Sequence, residues 1–199
     1  MDPWLQQGIE HDDVSELYSL IKGDENLLDH RSAGPFPNTP PHGAAEKRKT
    51  KVTMEITILK PSHAQKHNQM GHSPMHLALQ QKRYHAMRAL MTLNPELIRV
   101  QGQGRITPLH FVAREKGDNE QMNVELLAKF LFACRSSIED LTSQCETVVH
   151  VAVKNHNLKA FKVLFRWLKR AYLIEILNWK HKDGNNLLHI AMLERQLDP

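Results

Sequence analysis

Apolar side chains recur along this chain at the spacing of one helical face, in short stretches divided by polar turns. Near the start, Asp13 stands as a cap before Val14, Leu17, Tyr18 and Ile21. Lys22-Gly23-Asp24 then reads as a turn, and Glu25–Leu28 as a short second helix. The same stripe returns at Val52–Leu59, at Tyr84–Leu93 (Met87, Leu90, Met91) and at Val124–Ala133 (Leu126, Leu127, Phe130, Leu131). Leu158–Tyr172 carries the longest stripe, through Phe161, Leu164, Phe165, Leu168 and Tyr172. Such helices each expose an apolar face, so stacking them is what makes a core.

Between the stripes lies a repeated signature. Thr39-Pro-Pro-His42, Ser73-Pro-Met-His76, Thr107-Pro-Leu-His110, Thr147-Val-Val-His150 and Asn186-Leu-Leu-His189 align, and their histidines are 34, 34, 40 and 39 residues apart. A period of about 33 residues with T-P-L-H-x-A is the ankyrin signature. The expected fold is therefore an all-α ankyrin-repeat solenoid of four to five helix-pair repeats, one domain over residues 1–199. Its parts are an N-terminal partial repeat (1–35), a degenerate repeat (36–69), repeats at 70–103, 104–143 and 144–182, and a truncated repeat at 183–199. First helices and loop tips are expected to line its concave side.

The chemistry of each position supports this reading. Thr39, Ser73, Thr107 and Thr147 sit where a hydroxyl accepts from an orphan helix N–H. Proline follows at the first helical position, where its missing N–H costs nothing. The small residue two places after histidine (Ala78, Ala152, Ala191, with Val112 in the third copy) lets helices approach closely. His42, His76, His110, His150 and His189 read as structural hydrogen-bonding residues tying loop to helix. They are not a metal array, because stacked repeats lie about 10 Å apart and metal bonds are near 2 Å.

Two places depart from the pattern. After Thr39-Pro-Pro-His42, Pro41 replaces an apolar residue, and the following helix is rich in β-branched Val52, Thr53, Ile56, Thr57 and Ile58. This repeat is expected to be the least stable. Among the repeats with a histidine signature, only Lys116-Gly117-Asp118 keeps glycine at the turn between paired helices, with an insertion near Asp118–Asn123. The last repeat stops just after its first helix, at Leu193–Pro199, with no second helix to bury Ile190 and Leu193, and reads as truncated rather than capped.

Composition narrows the classes. The chain has 199 residues, of which 41% are hydrophobic and 24% charged, so it is not disordered throughout. No apolar run is long enough to span a bilayer, and the acidic N-terminus MDPWLQQGIEHDD is not a secretory signal. Two cysteines, Cys134 and Cys145, build no disulfide framework, and an intracellular, cytoplasmic setting is expected. Residues 1–36 hold 8 acids and 2 bases, whereas the rest holds 14 acids and 24 bases. An acidic first element thus precedes a basic body that can steer acidic partners.

The chain resembles plant ankyrin-repeat proteins of the "accelerated cell death" and "bian da" kind. The resemblance is carried by Asp13-Val-Ser-Glu-Leu-Tyr-Ser-Leu-Ile21, Leu59-Lys-Pro-Ser62, Ser73-Pro-Met-His-Leu-Ala-Leu-Gln80 and Asn94-Pro95-Glu96-Leu97. It continues through Thr107-Pro-Leu-His-Phe111, Leu126-Leu-Ala-Lys-Phe-Leu-Phe132, Ile176-Leu-Asn-Trp-Lys180 and Asp183-Gly-Asn-Asn-Leu-Leu-His-Ile-Ala191. It implies protein–protein interaction in defence and growth signalling, with a membrane receptor or signalling protein as partner. It also implies plasma-membrane localisation for a longer form carrying the family's C-terminal PGG-type domain, which is not in this sequence.

The function expected is a non-catalytic interaction scaffold or adaptor whose contacts fall on tips and first-helix faces. The candidate contact residues are His72, Arg105, Arg114, Gln144, Lys154 and Lys182. The competing reading is a peripheral membrane or calmodulin-responsive module. It uses the basic amphipathic helix 159–172; the stretch Lys154–Arg170 holds Lys154, Lys159, Lys162, Arg166, Lys169 and Arg170 and no acid. A truncated product of a membrane-anchored ankyrin protein is the third. No enzyme is expected, since no P-loop, HExxH, CxxC, GxSxG or Rossmann pattern occurs. No metal, cofactor or small-molecule substrate is expected either: His63 and His67 lie in a loop without a nearby Cys or carboxylate, and Asp183-Gly184-Asn185 is a turn rather than a calcium loop. The basic run Glu46–Lys51 has no interleaved aromatic, so no nucleic acid is expected as partner.

Overall fold

The computed structural model describes residues 11–29, 38–46, 50–116 and 120–196. Among these every regular element is helical and there is no strand. The chain divides into two compact units, Met1–Gln103 and Gly104–Pro199.

In the first unit, α1 (Val14–Gly23) begins at Asp13, whose carboxylate accepts from the N–H groups of Ser15 (2.8 Å) and Glu16 (3.4 Å). The short second helix expected at Glu25–Leu28 is a single 3₁₀ turn, Leu27–Asp29. Then come α2 (Pro40–Glu46), α3 (Thr50–Leu59), α4 (Pro74–Gln80) and α5 (Tyr84–Leu93). Helix α3 forms despite its β-branched residues because Val52 and Ile56, one turn apart, are fully buried with Leu17, Leu27 and Leu28. Burying such a side chain is worth about 1.5–3 kcal/mol, against a few tenths lost in propensity. Asp12 adds a cap from outside, accepting the Val52 N–H at 3.1 Å.

The second unit holds α6 (Pro108–Arg114), α7 (Glu120–Ala133), α8 (Val148–Lys154), α9 (Leu158–Ala171) and α10 (Leu187–Gln196). First helix α6 packs on α8, and α8 on α10, while second helix α7 packs on α9. Asn157 joins neighbouring pairs: its Oδ1 accepts from Ala160 N–H (3.1 Å), and its Nδ2 donates to the carbonyls of Ala113 (3.1 Å) and Glu115 (2.9 Å).

Three expectations need correction. The longer spacings of 40 and 39 residues arise chiefly from second helices of 14 residues, where α5 has 10; residues 120–123, expected as part of a loop insertion, are helical. Tyr172 does not continue the buried stripe of α9. The helix ends at Ala171, and Tyr172 takes a left-handed conformation (φ 58°) with 91% of its surface exposed. Ile190 is buried, because α10 packs on α8, while Leu193 is half exposed.

Candidate functional site

Each signature builds the same local machine. The Ser73 N–H donates to His76 Nδ1 (3.3 Å), and the His76 N–H donates to Ser73 Oγ (3.5 Å). Thr107 with His110 (3.4 and 3.4 Å) and Thr147 with His150 (3.2 and 3.4 Å) repeat this reciprocal capping box. Thr39 N–H likewise donates to His42 Nδ1 at 3.0 Å. With Nδ1 accepting, the proton sits on Nε2, and His42 donates it to the carbonyl of His72 at 2.9 Å. His42 thus ties its own repeat's helix to the next repeat's loop. Burial pushes the His42 and His110 pKa values down to about 4, and it lowers that of His150, where His181 adds to the effect. The last copy is looser: Asn186 replaces threonine and His189 is exposed, yet Asn186 N–H still donates to His189 Nδ1 (3.3 Å).

The loop tips repeat as closely. The Gly71, Cys145 and Gly184 N–H groups donate to the carbonyls of Asn68, Thr142 and His181, each at 2.9 Å. Gly71, Cys145 and Gly184, and Arg105 at the equivalent place, all have positive φ between 56° and 80°. Gly102 serves close packing instead, since a Cβ there would lie 2.9 Å from the Gly71 carbonyl oxygen and 3.2 Å from the His76 ring.

In the second unit the tip at 142–146 and the helices α6 and α8 enclose a cleft of about 210 Å³. Arg114, Gln144 and Lys154, three of the six candidate contact residues, line it together. The guanidinium of Arg114 lies 5.2 Å from the Phe111 ring centre, which fixes its direction. Lys154 Nζ donates to Glu146 Oε1 at 2.7 Å, and Glu146, itself buried, also accepts from Thr142 Oγ1 at 3.3 Å. The hydrogen bond that Lys154 donates to Glu146 raises the Lys154 pKa, so this ammonium is firmly charged. Arg105 is exposed beside Gly104, which lines the cleft. Lys182 does not line it, although its N–H donates to the Gln144 carbonyl at 2.8 Å. His72 belongs to the first unit, where it lines a separate groove of about 550 Å³ with His67, Met70 and Gln101.

Sequence reasoning missed Glu146 and Thr142. The spacing Thr142-x-x-x-Glu146 directly before a capping threonine was the available signal, and the tip uses it: Thr142 Oγ1 accepts from the N–H groups of Gln144 and Glu146, both at 3.2 Å. Cys134 is buried and Cys145 exposed, and both are free thiols. His63 is buried in the 3₁₀ turn Pro61–Ala64. Among the described residues no group of three or more His, Cys, Asp or Glu side chains is placed to hold a metal, and no helix is long and apolar enough to cross a membrane. Leu164 and Leu168 of α9 are fully buried, so a calmodulin-type grip on that stripe requires opening the unit. Lys47, Arg48 and Lys49 of the basic run, and the turn at Gly117-Asp118, lie outside the described residues.

No family model matches the chain. The ankyrin repeat-containing protein BDA1 of Arabidopsis thaliana is 38% identical over 71 residues, a segment spanning 36% of this chain and 17% of that protein. Among solved structures, a chain in the Bd0816 predatory endopeptidase from Bdellovibrio bacteriovorus in complex with immunity protein Bd3460 superposes with a TM-score of 0.69. That match covers 99% of this chain and 94% of that chain at 17% identity, which speaks to the fold alone. In fold, the chain is an ankyrin-type array of helix pairs.

Proposed function

We propose that this chain is a non-catalytic scaffold that binds a protein partner through the cleft of residues 104–199, in a signalling or defence pathway, with a membrane receptor or signalling protein as that partner. The observation that carries this reading is the placement of Arg114, Gln144 and the Lys154–Glu146 pair around one cleft beside the tips. Stacking uses up the apolar faces of α6 and α8, whereas Arg114, Gln144 and Lys154 are exposed at the cleft and buried Glu146 holds Lys154 in place. The partner surface such a cleft receives is a polar loop carrying an acidic side chain for Arg114. The resemblance to the "bian da" group supports the signalling role.

The test uses the full chain as bait in a cell extract, beside the double variant Arg105→Glu, Arg114→Glu and the control Gln121→Glu. Proteins recovered by wild type and control but lost by the double variant, with far-UV circular dichroism unchanged, support the reading. Recovery of the same proteins by all three contradicts it.

A further inference from the structure

The outer face of α9 has a composition that stacking does not require. Lys159, Lys162, Arg166, Lys169 and Arg170 are all exposed, on the side of the helix opposite buried Ala160, Leu164 and Leu168. From Thr147 to Ile174 there is no acidic residue. Among the described residues Lys162, Arg166 and Arg170 join no ion pair. Helices α7 and α9 pack together, and Arg135 ties their ends: its Nη2 donates to the Ala171 carbonyl at 2.7 Å, and its guanidinium lies 6.0 Å from the Trp167 ring centre.

Two large aromatics leave the fold at this edge. Phe132, three residues before Arg135, is 93% exposed; Tyr172, directly after Ala171, is 91% exposed. Phe132 sits two residues after fully buried Phe130, on the outward side of the same helix. Full exposure of a phenyl ring forfeits about 1.5–3 kcal/mol relative to burial. Both rings stand clear of the protein surface. Exposed aromatic tips flanked by a stripe of lysine and arginine match an interface that is apolar just beneath a negative surface.

We propose that this face docks the second unit on an anionic phospholipid bilayer, with Phe132 and Tyr172 entering the headgroup region and Lys162, Arg166, Lys169 and Arg170 facing anionic headgroups. The helices stay folded in this arrangement, because the buried stripe of α9 is not used. The protein cleft and the lipid-facing helices use different residues, so each fails or stands separately.

The experiment is sedimentation of the full chain with phosphatidylcholine vesicles, with and without phosphatidylserine. The expected result is binding only to the phosphatidylserine vesicles, weakened by salt. Lys162→Glu with Arg166→Glu, and separately Phe132→Ser with Tyr172→Ser, are each expected to lower the partition coefficient about tenfold or more. Lys162→Ala with Arg166→Ala keeps the charge test valid if the reversal unfolds the unit. Equal binding to neutral vesicles, or wild-type binding by the aromatic double variant, overturns the proposal. So does a chain that ignores vesicles but binds polyglutamate through the same lysines and arginines, which assigns the face to an acidic protein.

Discussion

The second helix of the repeat at 70–103 and those of the two repeats after it do the same packing task at different lengths. Helix α5 has 10 residues, and Ala86, Met87, Ala89 and Leu90 are buried. Helices α7 and α9 have 14 residues each, yet they are anchored at the same places counted from their ends: Leu126 and Phe130 in one, Leu164 and Leu168 in the other. Ten residues therefore suffice for the stack. Counted that way, the added turn of α9 is Leu158–Phe161, which holds Lys159 alone among the five bases; the rest of the cationic stripe lies on the outer face of the shared ten residues. What sets α9 apart is therefore the charge of its outer face and not its length.

The largest contrast is expected between two positions of one helix, α7. Phe130→Ala is expected to destabilise the chain by about 3–5 kcal/mol in urea unfolding, by loss of burial plus a cavity. Phe132→Ser, two residues on, should change it by no more than about 0.5 kcal/mol. Similar losses at both positions would mean that Phe132 packs in the fold.

Next in size is a pH effect on the capping histidines. His42 and His110 titrate near 4 when folded, below their ordinary 6.5, so the unfolded chain takes up protons first as pH falls. Stability is flat above about pH 6.5 and declines toward about pH 4, with about 2 kcal/mol lost per histidine at about pH 5. Unfolding free energies measured down this range should fall, and the His42→Gln, His110→Gln double variant should flatten most of the slope.

Smaller still is the contrast between an interior cap and the last one. Thr147→Ala is expected to cost about 1–2 kcal/mol, because the capping box is buried; Asn186→Ala, beside exposed His189, should cost about 0.5 kcal/mol. Equal costs in thermal unfolding would remove the distinction. Smallest is a gain. Lys82 and His156 hold positive φ (54° and 51°) at the turn between paired helices. Glycine at either place should stabilise by about 0.5 kcal/mol, and a loss on Lys82→Gly would show that its side chain is needed there.

Much of this was legible in the sequence for a local reason. A hydroxyl, a proline and a histidine within four residues specify their own hydrogen bonds, so the phase of the repeat and the caps follow from residue identity. Helix ends were less legible. Extending the stripe of α9 to Tyr172 failed because no glycine marks the stop, and tyrosine itself takes the left-handed position. The cleft was half legible. Arg114, Gln144 and Lys154 follow from their places on tips and first helices, but Glu146 is a single acid whose meaning appears only when folding sets Lys154 Nζ 2.7 Å from it. The exposure of Phe132 was hidden for a similar reason, since four apolar residues at Phe130–Ala133 do not say which one faces outward.

Amide hydrogen exchange with and without a captured partner separates recognition at the cleft from recognition along the second helices α7 and α9. Added protection is expected at residues 104–106, 114–115 and 142–146, with little change along Glu120–Ala133 and Leu158–Ala171. Protection confined to those two helices, with the tips unchanged, would contradict recognition at the cleft.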